Sequence, residues 1–400
     1  MQRYISIALV VLTALVAEAG QVTVTSVMAV QRPDEPIVDI SYDLLNPSGG
    51  VYTVLLYAST NSGATYSLNC THFSGDVGAG VTTGTLKQVV WSAAGDFPFT
   101  ITSQAHVRVT ATETIVATND MALIPAGAFV MGNCMDAFEG YSIELPVHTV
   151  MVSAFYMNRY LVTSQQWFEV RNWAIANGYT FDHAGSGKAA DHPAQTINWY
   201  DCVKWCNARS EKEGLTPCYY TNAAQTLVYR GGSENLSNEW VKWTANGYRL
   251  PTEAEWEKAA RGGLNGRRFS WNDLNITHTN ANYISNAIYS YDTSATRGFH
   301  PTFVAGDMPY TSPVGYFAPN GYGLYDMTGN VYEWCWDRYS GLYYSISPAN
   351  DPCGPASGAS RVLRGGYWYD GASVCRVASR HYDARSYSSY YYGFRCVRGQ

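Results

Sequence analysis

Side chains that could do chemistry crowd near the end of the chain, between Tyr367 and Tyr392. Seven tyrosines (Tyr367, Tyr369, Tyr382, Tyr387, Tyr390, Tyr391 and Tyr392) alternate there with serines, Asp370, His381 and arginines, and one thiol, Cys375, stands among them. Tyrosine beside serine suits contact more than bond-making. A phenol offers rigid, amphipathic area at low entropic cost, and binding loops favour the pair for that reason. These residue types predict a binding face over 367–392. Other reactive groups are sparse. The eight histidines form no metal-spaced pair on a helix, and no Cys-x-x-Cys, Gly-x-Ser-x-Gly or P-loop occurs. Asp182-His183 and Asp191-His192-Pro193 lie in a Gly/Ala-rich stretch and read as solvated loop residues.

Those residues need a scaffold, and the composition bounds it. A chain of 400 residues exceeds one ordinary domain of about 100–200. Hydrophobic residues make up 46%, enough for a buried core, while charged residues are only 14%, against roughly 25% in soluble proteins. A net charge of −6 without basic runs excludes the positive footprint that nucleic acid requires. The segment MQRYISIALVVLTALVAEAG has an early Arg3, an apolar core from Ile5 to Val16 and a small-x-small site at Ala17-Glu18-Ala19. It predicts a signal peptide over 1–19 and a secreted, periplasmic or cell-surface protein. No stretch has the apolar length of a membrane span. Export permits disulfides. The nine cysteines are an odd set, so at least one is free or pairs between chains.

From 20 to 115 short β-branched runs such as IVDISYDLL, VYTVLLYAST and AHVRVTATE are separated by Gly/Ser/Asn/Pro turns. That spacing predicts a small all-β sandwich of immunoglobulin or fibronectin type. The character changes after Asn119. Three helices are then predicted. Thr163 and Gln166 open one that stops before Gly178, a second runs from about Trp199 to Glu213, and Thr252 with Glu255 opens a short third that Gly262 ends. From Arg268 onward the chain is rich in Gly, Asn, Ser and Tyr with little periodicity. Loops that long are usually tied down, so the second domain is expected to be α+β, low in regular structure and stapled by metals or disulfides.

The ordered stretches IPAGAFVMGN, YLVTSQQWFE, HPAQTINWYDCVKWCN, YRLPTEAEWEKAARGG, NGYGLYDMTGNVYEW, RVLRGGYW and GFRCVR resemble the formylglycine-generating enzymes, also called sulfatase-modifying factors. The resemblance covers nearly everything from Met121 to Arg398 and implies a C-type-lectin-like domain over 119–400. It implies calcium ligands at Asp326, Gly329, Val331 and Glu333, two carboxylates with backbone carbonyls that suit a hard cation. A second set is implied at Asn282, the Tyr283 carbonyl and Asp307, and a disulfide between Cys206 and Cys396.

The family oxidises a cysteine of a sulfatase polypeptide, using oxygen and a copper ion held by two cysteines, the soft ligands that Cu(I) requires. By the family's spacing from Arg364 those cysteines fall on Asp370 and Cys375. The family's active-site serine falls on Tyr367, and the histidine beside the first cysteine on Gly371. One copper cysteine of two is kept, so copper is not expected, whereas the loop at Asp326–Glu333 makes calcium an expected cofactor. The expected function is an exported family member that binds a carbohydrate or protein ligand through 367–392. The alternative is a formylglycine-generating oxidase with Cys375 as its catalytic residue. The Tyr/Ser/Asp/His passage also resembles the variable region of diversity-generating retroelement proteins, which use the same lectin-like fold.

Overall fold

The computed structural model describes residues 23–33, 35–45, 51–66, 68–96, 105–113, 120–135 and 139–399. The leader expected over 1–19 lies outside them. Among the described residues no helix is long and apolar enough to cross a membrane. The chain divides into two compact units, Met1–Ala117 and Thr118–Gln400.

In the first unit the period-two pattern decides the fold. Along the strand Ile37–Leu45 the residues Val38, Ile40, Tyr42 and Leu44 all turn inward. This strand pairs antiparallel with Thr23–Gln31 and Gly84–Ser92, and Phe73–Gly75 completes the sheet. A second antiparallel sheet is built on Val51–Ser59, which pairs with His106–Glu113, Gly78–Thr82 and Leu68–Asn69. Inward residues of both sheets, among them Ile40, Trp91, Val54, Leu56 and Val107, share one core.

The second unit has the three expected helices, and each begins on a two-way cap. Thr163 and Gln166 open Ser164–Ala176, Asn198 and Asp201 open Trp199–Lys212, and Thr252 and Glu255 open Glu253–Ala260. The middle helix is buried on nearly every side, a core helix rather than a surface one. The short third helix is also buried, although it carries three glutamates and a lysine. Between Ala260 and Tyr332 the chain forms only turns and isolated bridges. One mixed sheet orders His381–Ala384, Ser360–Arg364, Tyr332–Arg338 and Tyr392–Gly393, the last pair parallel.

The expected cysteine pair is brought together, and charge supplies further staples. All nine cysteines are unpaired. Cys206 and Cys396 meet with their sulfurs 3.6 Å apart, a contact longer than a bond of about 2.05 Å. Buried arginine–glutamate pairs tie distant segments together. Arg364 joins Glu257 at 2.5 Å, Arg380 joins Glu253 at 2.7 Å, Arg376 joins Glu144 at 2.6 Å and Arg395 joins Glu333 at 2.6 Å. Lys258 is satisfied by the carbonyls of Pro125, Gly127 and Val152. The buried helix tolerates its charges because each has a partner.

Candidate functional site

The strand Ser360–Arg364 leaves its sheet through Gly365 and Gly366, at φ 95° and 72°. A Cβ at Gly366 would lie 2.8 Å from the Cys375 sulfur, so only glycine fits against that thiol. Beyond the diglycine a tight turn closes on itself. The Asp370 N–H donates to the Tyr367 carbonyl at 2.9 Å, and the Tyr367 N–H to the Asp370 carboxylate at 3.3 Å. The turn is anchored from below, where Trp368 N–H donates to the Asn330 carbonyl and Ile284 N–H to the Asp370 carbonyl. Arg364, facing inward, donates to the carbonyls of Val377, Ala378 and Ser379. Charge thus holds the segment from inside: Cys375 to Arg380 are buried, and the exposed side chains lie on either side of them, at Tyr369 and from His381 onward.

Cys375 packs in the interior with Phe269, Ile276, Tyr283 and Ala372, and its exposure is 0%. Burial pushes its thiol well above the usual range, and the Asp370 carboxylate pushes it further. Such a thiol stays protonated at neutral pH and is a poor nucleophile. The Asp370 carboxyl is itself pushed up to about 7 by burial, against the hydrogen bond from the Tyr332 hydroxyl. Cys375 thus occupies a core position, not the accessible one that a catalytic reading needs.

The tyrosines divide into two sets. Tyr369, Tyr382, Tyr387 and Tyr390 are 50%, 46%, 47% and 43% exposed, and His381 is exposed beside them. Tyr367 and Tyr391 are half-buried and touch, with ring centroids 4.6 Å apart. Tyr392 is only 1% exposed. Its hydroxyl donates to Asp383 at 2.6 Å, so it supports the face from beneath and does not belong to it. Sequence reasoning missed the residues that border the surface and underlie it. Phe299 packs 5.0 Å from Tyr369 and 5.1 Å from Tyr310, while Tyr332 stacks under His381 at 4.8 Å. These come from distant parts of the chain, and no local pattern signals them.

Residues 107–400 match the sulfatase-modifying factor enzyme 1-like domain. The chain belongs to that family. A formylglycine-generating enzyme of Streptomyces coelicolor is 34% identical over 300 residues, covering 70% of this chain and 90% of the relative. The chaperone protein LppX of Paenibacillus barcinonensis is 33% identical over 266 residues, covering 65% of this chain and 82% of that protein. Among solved structures, Treponema denticola variable protein 1 matches with a TM-score of 0.52 at 31% identity, over 70% of this chain and 95% of its own. PvdO of Pseudomonas aeruginosa matches with a TM-score of 0.50 at 26% identity, over 70% and 94%. The second unit therefore has the C-type-lectin-like fold of the sulfatase-modifying factors.

The family's metals can be tested against the side chains present. For copper, the donors at the two family positions are one buried thiol and the carboxyl of Asp370. That set does not fit Cu(I), which requires a thiolate pair. For calcium the first loop does fit. Asp326, at φ 55°, receives the Gly315 N–H on one oxygen at 2.7 Å, while its other oxygen is buried without a partner. Burial pushes this carboxyl up to about 6. Glu333 accepts from Arg395 on both oxygens, at 2.6 and 2.9 Å, and keeps lone pairs for a further contact.

The residues of the second set make contacts of their own. The Asn282 amide donates to the Tyr310 carbonyl at 2.8 Å, the Tyr283 carbonyl faces His278 Nε2 at 3.2 Å, and Asp307 is exposed. His278 and His300, both held below the usual range by burial, stand in that region with ring centroids 5.0 Å apart. Among the described residues no cluster of three or more His, Cys, Asp or Glu is arranged to hold a metal. The first loop would rely on two carboxylates and the carbonyls of Gly329 and Val331.

Proposed function

We propose that this chain is an exported, ligand-binding member of the sulfatase-modifying factor family. Its contact surface is built on Tyr367, Tyr369, His381, Tyr382, Tyr387, Tyr390 and Tyr391, and its ligand is a protein or a carbohydrate. One contrast carries this reading. Where the family's copper thiols would stand there is Asp370 and a fully buried Cys375, while four neighbouring tyrosines are open to solvent. Phenol rings present apolar faces and a polar tip, so one surface can bind both kinds of ligand.

The frame beneath supports preorganised binding. Arg364 and Arg376 pin the segment from inside, so few groups must be ordered when a ligand arrives. Calcium at Asp326, Gly329, Val331 and Glu333 would steady the loop that carries Asn330 and Tyr332, the two residues directly under the face. The leader-like segment supports export. The likeness to a protein named as variable supports reading the exposed tyrosines as positions that differ among sister copies.

The test is an array of glycans and secreted proteins, probed with the full chain and with Tyr387→Ser and Tyr390→Ser variants. At least one ligand should be retained by the parent and lost by both variants. An array whose hits were all indifferent to both substitutions, or one without hits, would overturn the reading.

A further inference from the structure

A cleft of about 440 Å³, lined by none of the tyrosines of the contact face though Ser373 of the same segment borders it, falls within the usual range of about 300–1,000 Å³ for small-molecule sites. It is lined by Tyr141, Tyr289, Ile288, Arg268, Glu139 and Tyr291. Tyr289 stacks on Tyr291 with centroids 5.3 Å apart, and the Arg268 guanidinium lies 4.1 Å from the Tyr291 ring centre. Ser290 and Ser373 add hydroxyls at the rim.

The charges in this cleft are matched within it. Arg268 meets Glu139 through two parallel hydrogen bonds, at 2.6 and 2.7 Å. Behind the wall, Arg376 is paired with buried Glu144, and a side chain at Gly140 would strike that pair, with a Cβ 2.5 Å from Glu144 Oε2. A charged ligand would have to compete with a bidentate pair. A neutral one need not, because the Glu139 oxygens retain lone pairs for hydroxyl donors. The tyrosine rings have electron-rich faces that attract polarised C–H groups. A ring that is neutral, edged with hydroxyls and faced with C–H groups satisfies all of these walls.

We propose that this cleft is a saccharide site, taking one or two neutral sugar rings against Tyr289 with their hydroxyls directed at Glu139. It uses none of the tyrosines of the surface proposed above. The test is calorimetry and saturation-transfer NMR on the full chain with cellobiose, lactose and N,N′-diacetylchitobiose. At least one should bind saturably. Affinity should fall about tenfold or more, about 1.4 kcal/mol, in Tyr289→Ala and in Ile288→Trp, and stay unchanged in Tyr390→Ser. Ile288 is 80% exposed, so its replacement blocks the cleft without disturbing the fold. Absence of saturable binding by all three sugars would overturn the proposal. So would binding indifferent to both cleft variants, or binding lost in Tyr390→Ser.

Discussion

The two units of this chain are held by opposite uses of charge. In the first, apolar side chains alternate inward and the Arg32–Asp39 pair lies outside, its side chains 42% and 43% exposed, while Asp96 is turned in at 4%. In the second, charge lies at the centre, and the Arg364–Glu257 side chains are 0% and 0% exposed. A chain with only 14% charged residues thus spends many of them as internal ties. What remains for the outer face is tyrosine, serine and histidine, the chemistry of a contact surface.

Removing one internal tie should break the comparison most severely. Glu257→Ala strands Arg364 and Arg261 and should cost the second unit about 3–5 kcal/mol, with the first unit's transition unchanged. Unit-resolved hydrogen exchange across a denaturant series would read both. Replacing Arg376 and Glu144 together by Met and Leu should cost much less, since neither charge is left alone.

In the first unit the equivalent damage is a cavity. Ile40→Ala should cost about 2–5 kcal/mol there, and the second unit should keep its stability. Equal effects on both units would show that they do not fold on separate principles.

The third effect is pH-dependent and of order 3 kcal/mol. The Asp326 carboxyl, raised to about 6 in the fold, favours the protonated state when no cation is bound. Its contribution is therefore full below the unfolded value near 4 and is lost as pH rises through about 6. A calcium ion takes the ionised form, so calcium should stabilise the second unit increasingly as pH rises through about 6. Asp326→Asn should abolish that increase. Thermal melts with calcium or a chelator, at pH 5 and pH 7.5, decide it. The smallest effect should come from the face itself: Tyr387→Ser or Tyr390→Ser should change stability by about 0.5 kcal/mol or less.

The same contrast explains what was legible in the sequence. Alternation marked the strands of the first unit because period two is local. Capping pairs marked helix starts at Thr163 and Thr252 because both partners lie within one turn. The meeting of Cys206 with Cys396 was implied by the family resemblance, though their sulfurs are in contact without a bond. The buried ties were invisible. Arg364 finds Glu257 at a separation of 107 positions and Arg376 finds Glu144 at 232, and nothing local distinguishes them from surface charges. Composition placed seven tyrosines in one segment but could not say that Tyr392 turns inward to Asp383 while Tyr390 stays out. Nor could it show that Phe299 and Tyr310 border the surface while Tyr332 lies beneath it.

The central claim is that the position of the family's oxidising centre has become part of a contact surface. The direct measurement incubates the full chain with copper, oxygen and a Cys-x-Pro-x-Arg peptide, beside Cys375→Ala, with mass spectrometry of the peptide. The predicted result is no aldehyde above the enzyme-free background in either sample. Aldehyde formed by the parent and absent with Cys375→Ala would contradict the account.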